Sequence, residues 1–204
     1  MAAKPGERRL QIMQTLAEML EQPKGDKITT AAIAARLGVS EAALYRHFAS
    51  KAQMYEGLID FIETSLFSVI NQATSDTGSG LQQAQRILAL LLGFAQKNRG
   101  LTRVLIGDAL VHENVRLQHR INQILDRIEA ALKQALRIGV LRAELAEGSD
   151  VAGAANLLLC FAIGRWQQFV KSEFRRDPTA DWPTPWLQLA SACGVVPQPI
   201  GSAA

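Results

Sequence analysis

Apolar residues along this chain recur at intervals of three and four. Leu10, Met13, Leu16, Ala17 and Leu20 form one such stripe, the spacing that places side chains on a single helical face. "PKGD" at 23–26 ends that helix. A second, short helix is predicted from the Thr29/Thr30 N-cap pair to Leu37, where Gly38 stops it. Ser40 caps a third helix through Phe48, and "ASK" at 49–51 opens a long fourth one to about residue 72. "TSDTGSG" at 74–80 is a loop signal. Further helices are predicted near 81–97, 100–110, 114–138 and 150–174, with "AEGSD" at 146–150 as a break. "RRDPTADWPTP" at 175–185 connects to a final short helix ending by Cys193. Alternation with period two persists nowhere, so the fold class is all-α. The periodicity supports a head over 1–52, a helical body over 53–193 and a disordered tail over 194–204.

Within the head, "TTAAIAARLGVSEAALYRHF" carries a finer pattern. Ala34 lies four residues before Gly38 and must be small, because two helices cross closely there. Gly38 supplies a tight turn, and Leu44, six residues later, plugs the interface. Ile33, Leu37 and Val39 complete a small core. This is helix-turn-helix spacing, which leaves the second helix free to lie in a DNA major groove. Its outward residues would be Ser40, Glu41, Ala42, Tyr45 and Arg46. Small Ala42 and Ala43 permit close approach to base edges and thymine methyls. Thr29, Thr30, Ser40, Tyr45, His47 and Lys51 can donate to phosphates, the contacts that position a helix and dominate affinity. His47 can equally pack against the next helix.

Charge adds to this picture only locally. The net charge of the 204-residue chain is +3 and its pI about 9.1, too weak a balance to imply nucleic acid by itself. Between Lys27 and Lys51, however, Lys27, Arg36, Arg46 and Lys51 face Glu41 alone. Cys160 sits in the apolar run "NLLLCFAIG" and reads as a core residue; with Cys193 far away in sequence, a reduced setting is expected. No apolar run approaches the roughly 20 residues of a membrane span, and the N-terminus has no secretory h-region. His47, His112 and His119 stand apart without metal-ligand spacing. There is no glycine-rich phosphate loop and no nucleophile elbow. Neither an enzyme nor a cofactor is expected.

"ITTAAIAARLGVSEAALYRHFASKAQMYEGLI" resembles the DNA-binding head of the TetR family, including its aromatic–x–His–Phe–x–x–Lys ending. That resemblance implies a three-helix head, a long fourth helix, a larger helical body, a homodimer and near-palindromic duplex sites. Most TetR-like proteins are ligand-released repressors. For such a function Arg103, Asp108, His112 and Glu113 could supply the polar groups of a pocket.

The body narrows the resemblance. "LIDFIETSL", "LLGFAQKNRGLTRVLIGDAL" and "RLQHRINQILDRIEAALKQAL" are similar to the SlmA family of nucleoid-occlusion factors. Members bind chromosomal sites and, while bound, block assembly of the division protein FtsZ; a cytoplasmic, nucleoid-associated location follows. The resemblance implies that the FtsZ C-terminal tail docks between the fourth and fifth helices, at Phe61, Leu90, Gly93, Phe94, Lys97 and Asn98. Gly93 would leave a notch for a partner backbone, and Lys97 with Arg99 would attract acidic groups. Leu88, Leu91 and Leu92 are expected in the core. One departure stands at Val69, where the resemblance leads one to expect a basic residue. Small Ala152, Gly153, Ala155 and Gly164 beside Leu158, Phe161, Trp166 and Phe169 suit close packing within one chain or between two. Trp182 and Trp186 are expected to pin the connector and final helix.

Overall fold

A computed structural model describes residues 5–22, 28–75 and 78–195. "PKGD", Lys27 and most of the 194–204 tail lie outside the described residues. The chain order is α1 (Pro5–Leu20), α2 (Thr30–Leu37), α3 (Glu41–Tyr45), α4 (Lys51–Thr74), α5 (Gly80–Lys97), α6 (Arg99–Leu105), a single 3₁₀ turn (Asp108–Leu110), α7 (Val115–Leu141), α8 (Val151–Lys171) and α9 (Thr184–Ala192).

Side-chain caps set most helix starts, each satisfying an N–H that the helix leaves unpaired. Thr29 accepts from Ala32 N–H at 3.1 Å, Ser40 from Ala43 N–H at 3.3 Å and Ser50 from Gln53 N–H at 3.2 Å. Gln53 Oε1 accepts from Ala49 N–H at 2.9 Å, so the start of α4 is clamped from both sides. α3 is shorter than its pattern suggests. It ends at Tyr45, and residues 46–50 turn the chain into α4. Ser50 makes this sharp stop possible by opening a new helix at once.

The head is α1 to α3 packed on the start of α4. Ile12, Leu16, Ile33, Ala34, Leu44, Phe48, Met54 and Leu58 are buried together. The body is a bundle of α4, α5, α7 and α8. Its centre is Trp166, fully buried, whose indole Nε1–H donates to Leu91 O at 3.1 Å. Leu88, Leu91 and Leu92 are buried there as expected. α5 approaches α7 so closely that a Cβ on Gly80 would strike Ala135 O and Gly139 N. Glu144 joins the same corner, accepting from Ser79 Oγ at 3.0 Å and Leu81 N–H at 2.9 Å.

Arginines tie α4 to α7. Arg120 bonds Asp60 at 2.8 Å and Glu63 at 3.0 Å, and Arg127 pairs with Glu63 while lying 3.8 Å over the Phe67 ring. These two carboxylates raise the Arg120 pKa; the Asp60 hydrogen bond is the largest cause and burial opposes it.

One expectation about α8 needs adjustment. Cys160 is exposed, not a core residue. The apolar run around it is long enough to cover more than one face, and the bundle takes Leu158, Leu159, Ala162 and Trp166. Leu158, Trp166 and Phe169 pack inside this chain. The face they leave free carries Gly153, Leu157 and Cys160, with Gly164 also opening on empty space. Trp182 stacks between Phe161 and Trp186, at centroid distances of 6.3 and 6.1 Å, and so pins the connector and α9.

Candidate nucleic-acid interface and partner groove

The turn between α2 and α3 is set by Gly38, whose φ of +66° lies in the left-handed region that other residues enter at a cost. Its N–H donates to Ala35 O at 3.1 Å, and Val39 N–H donates to Ala34 O at 3.0 Å, closing the end of α2. Ala34 and Leu44 fill the crossing at 3 % and 1 % exposure. The opposite face of α3 is left to solvent. Ser40, Glu41, Ala42, Tyr45 and Arg46 are exposed, and Thr29 lies beside them at the start of α2. Thr30, Ala43, His47 and Lys51 are half-buried at the edges.

Hydrogen bonds hold this face together. Thr30 Oγ1 donates to Glu41 Oε2 at 2.6 Å, and Tyr45 Oη lies 3.4 Å from Thr30 Oγ1 as donor. The carboxylate that would repel phosphates is thereby occupied. Arg9 of α1 was not among the sequence candidates, yet its guanidinium donates to His47 O at 2.6 Å and sits 4.2 Å over the Phe48 ring. It fixes the chain leaving α3. Nothing local marks it, because its partners lie 38 residues away. Lys51 also has a long-range partner. Its ammonium pairs with Glu113, in the segment before α7, and lies 5.6 Å over the Tyr55 ring. Burial and then Glu113 push the Tyr55 phenol well above its usual pKa, keeping it neutral.

A second feature lies between α4 and α5. Phe61, Ser65, Val69, Ala89, Leu90, Gly93, Phe94, Lys97 and Asn98 line a groove of about 410 Å³. All six sequence candidates for partner contact are brought together here, and Val69 is beside them. Phe61 is 48 % exposed, unusual for so large an apolar side chain. A Cβ on Gly93 would meet nothing within 4 Å, so the glycine makes a true notch. Lys97 is exposed. Asn98 uses its amide NH₂ to cap α5, donating to Phe94 O at 2.8 Å.

The polar groups considered for a small-molecule pocket serve other ends. Arg103 bonds Asp108 at 2.8 Å and the α1 end at Leu20 O and Gln22 O, at 3.2 and 3.3 Å. Lys171 of α8 reaches Asp108 at 3.1 Å. Glu113 is taken by Lys51, and His112 is exposed. Burial favours a neutral Asp108, but the hydrogen bonds and charges of Arg103 and Lys171 outweigh it and lower the pKa. Among the described residues no cluster of His, Cys, Asp and Glu could hold a metal ion, and no helix is long and apolar enough to cross a membrane.

Comparison with known proteins gives the family. A family profile described as "Bacterial regulatory proteins, tetR family" matches residues 15–58. A second, "Tetracyclin repressor-like, C-terminal domain" of the SlmA-like type, matches residues 79–192. The nucleoid occlusion factor SlmA of Marinomonas sp. (strain MWYL1) is 48 % identical over 190 residues, 93 % of this chain and 96 % of that one. That of Shewanella woodyi is 52 % identical over 188 residues, 92 % of this chain and 95 % of that one. The chain belongs to the SlmA family of nucleoid occlusion factors. It is accordingly a TetR-type DNA-binding protein, and its relatives are regulators, not enzymes. Among solved structures, the fatty acid degradation regulator FadR from Bacillus halodurans superposes with a TM-score of 0.76 at 16 % identity, covering 95 % of this chain and all of that one (100 %). FadR from Bacillus subtilis, in complex with stearoyl-CoA, gives 0.72 at 20 % identity, covering 89 % and 97 %. At those identities the likeness shows a shared fold alone.

Proposed function

We propose that this protein binds near-palindromic chromosomal sites as a homodimer and, so bound, captures the FtsZ C-terminal tail and prevents division-ring assembly over the nucleoid. The observation that carries the reading is the groove between α4 and α5. It is shallow, apolar along Phe61, Leu90 and Phe94, and ends at an exposed cation, Lys97. An extended peptide with apolar anchors and an acidic group fits such a surface. Val69 keeps the far side apolar, so the partner's charge is expected at the Lys97 end.

On the DNA side, Ala42, Ala43 and Arg46 face the bases. Thr29, Thr30, Ser40, Tyr45 and His47 serve the phosphates, with Lys51 available once it leaves Glu113. The pairing surface is the free face of α8, where Gly153 and Gly164 allow another helix to approach closely. The location that follows is the cytoplasm, on the nucleoid.

The test is binding of the purified protein to a peptide of the FtsZ C-terminal tail, with and without a duplex site, beside Lys97→Glu. Binding that the substitution weakens is expected. No binding in either condition would return the protein to the ligand-gated repressors.

A further inference from the structure

The groove does not stop at Lys97. Phe61, Lys97 and Asn98 also line a second cleft of about 410 Å³, whose other wall is α1 of the head. Gln14, Ala17 and Glu18 face it from α1, Glu21 from the turn just past its end, and Gly100 and Leu101 from α6. Spacings of three and one put Gln14, Ala17 and Glu18 on a single face of α1, and Glu21 follows in the turn. The two clefts therefore adjoin at Phe61, Lys97 and Asn98, one lying within the body and the other at the seam between body and head.

Charge changes sign from one to the other. The α4–α5 half is apolar and ends at Lys97. Beyond it stand Glu18 and Glu21, both exposed. Neither carboxylate is in an ion pair with any described residue, and Lys97, in the same cleft, pairs with neither. Opposite charges that share a cleft without joining each other can both be met by one ligand. The head wall is also rigidly placed. Arg103 bonds Leu20 O and Gln22 O at the end of α1, and a Cβ on Gly100 would strike Ala17 O.

We infer that the partner tail crosses this seam, with its apolar residues over Phe61 and Gly93 and a basic residue further along held by Glu18 and Glu21 of the head. The inference rests on the tail-binding reading above and adds a second recognition element to it. A tail so bound touches both the DNA-binding unit and the body. Any shift of α1 that DNA imposes then changes tail affinity, and the tail changes DNA affinity by the same factor.

The experiment measures FtsZ tail-peptide affinity for the full chain, for Glu18→Lys/Glu21→Lys and for Gly93→Ala, at low and high salt. The double variant is expected to bind about tenfold more weakly at low salt, with the difference shrinking as salt screens the exposed charges. A tail peptide whose basic residues are changed to Glu should lose affinity for the wild-type chain and regain it on the double variant. Damage to α1 cannot produce that regain. Binding that Gly93→Ala weakens but the α1 substitutions leave unchanged would overturn the inference while the groove reading stands. A tail that binds none of the proteins would overturn both.

Discussion

Gly93 separates two things that usually move together. It lies inside α5, where glycine costs about 0.5–1 kcal/mol relative to alanine through lost backbone freedom. A Cβ there meets nothing within 4 Å in the free protein. Gly93→Ala should therefore stabilise the protein, raising Tm by about 1–4 °C for a chain of this size. In the complex, the same methyl occupies the notch a partner backbone would use. Overpacking a fitted contact costs about 1–3 kcal/mol, a loss of about five- to 150-fold in tail affinity. Gly100→Ala is the internal control. Its Cβ would press on Ala17 O and come within 3.1 Å of Leu20 Cβ. Since backbone is struck, little can give way, and Tm should fall. The assay is a thermal melt beside a titration with fluorescent tail peptide. A Gly93→Ala protein that melts higher and binds the tail as tightly as wild type would refute the notch. One that melts lower would refute the reading of its surroundings.

Three further outcomes are expected. Tyr45→Ala should abolish binding to the duplex site in a mobility-shift assay and leave the dimer intact by light scattering, since Tyr45 is 46 % exposed and outside the core; loss of the dimer would mean that Tyr45 supports the fold. Gly38→Ala should lower stability by about 1–2 kcal/mol, from left-handed strain alone because a Cβ has open space there, read as a denaturation midpoint. Asp108 contributes a pH-dependent part. Its folded pKa lies below the unfolded value of about 3.9, so its stabilisation is complete above that pH and is lost as pH falls through the folded pKa. Stability of Asp108→Asn and wild type should thus differ at neutral pH and converge in strong acid, as urea denaturation at several pH values would show.

Much of this arrangement was legible in the chain. Ala34, Gly38 and Leu44 each answer a steric demand at a fixed offset, so local spacing carries the helix-turn-helix. The groove was legible through likeness in the body motifs, since Phe61 and Leu90 lie on different helices and no local rule joins them. What escaped has one physical cause. Arg9 on the His47 carbonyl, Arg103 on the end of α1, and Glu113 on Lys51 are long-range partnerships of flexible charged side chains. Such side chains leave no periodicity behind. Cys160 escaped for a related reason: a uniformly apolar run hides which face turns outward.

The Lys51–Glu113 pair has a consequence for how DNA binding responds to salt. A lysine that moves from water to a phosphate releases a condensed counterion, and each such contact steepens the salt dependence of affinity by about 0.9 in log–log slope. Lys51 already has an intramolecular anion. Under the proposed contact the DNA would give up a cation as Lys51 turned to a phosphate, while Glu113 would be left bare and would attract cations from solution. That attraction would offset part of the release. The proposed Lys51–phosphate contact would thus add less to the salt slope than one made by a lysine without a carboxylate partner.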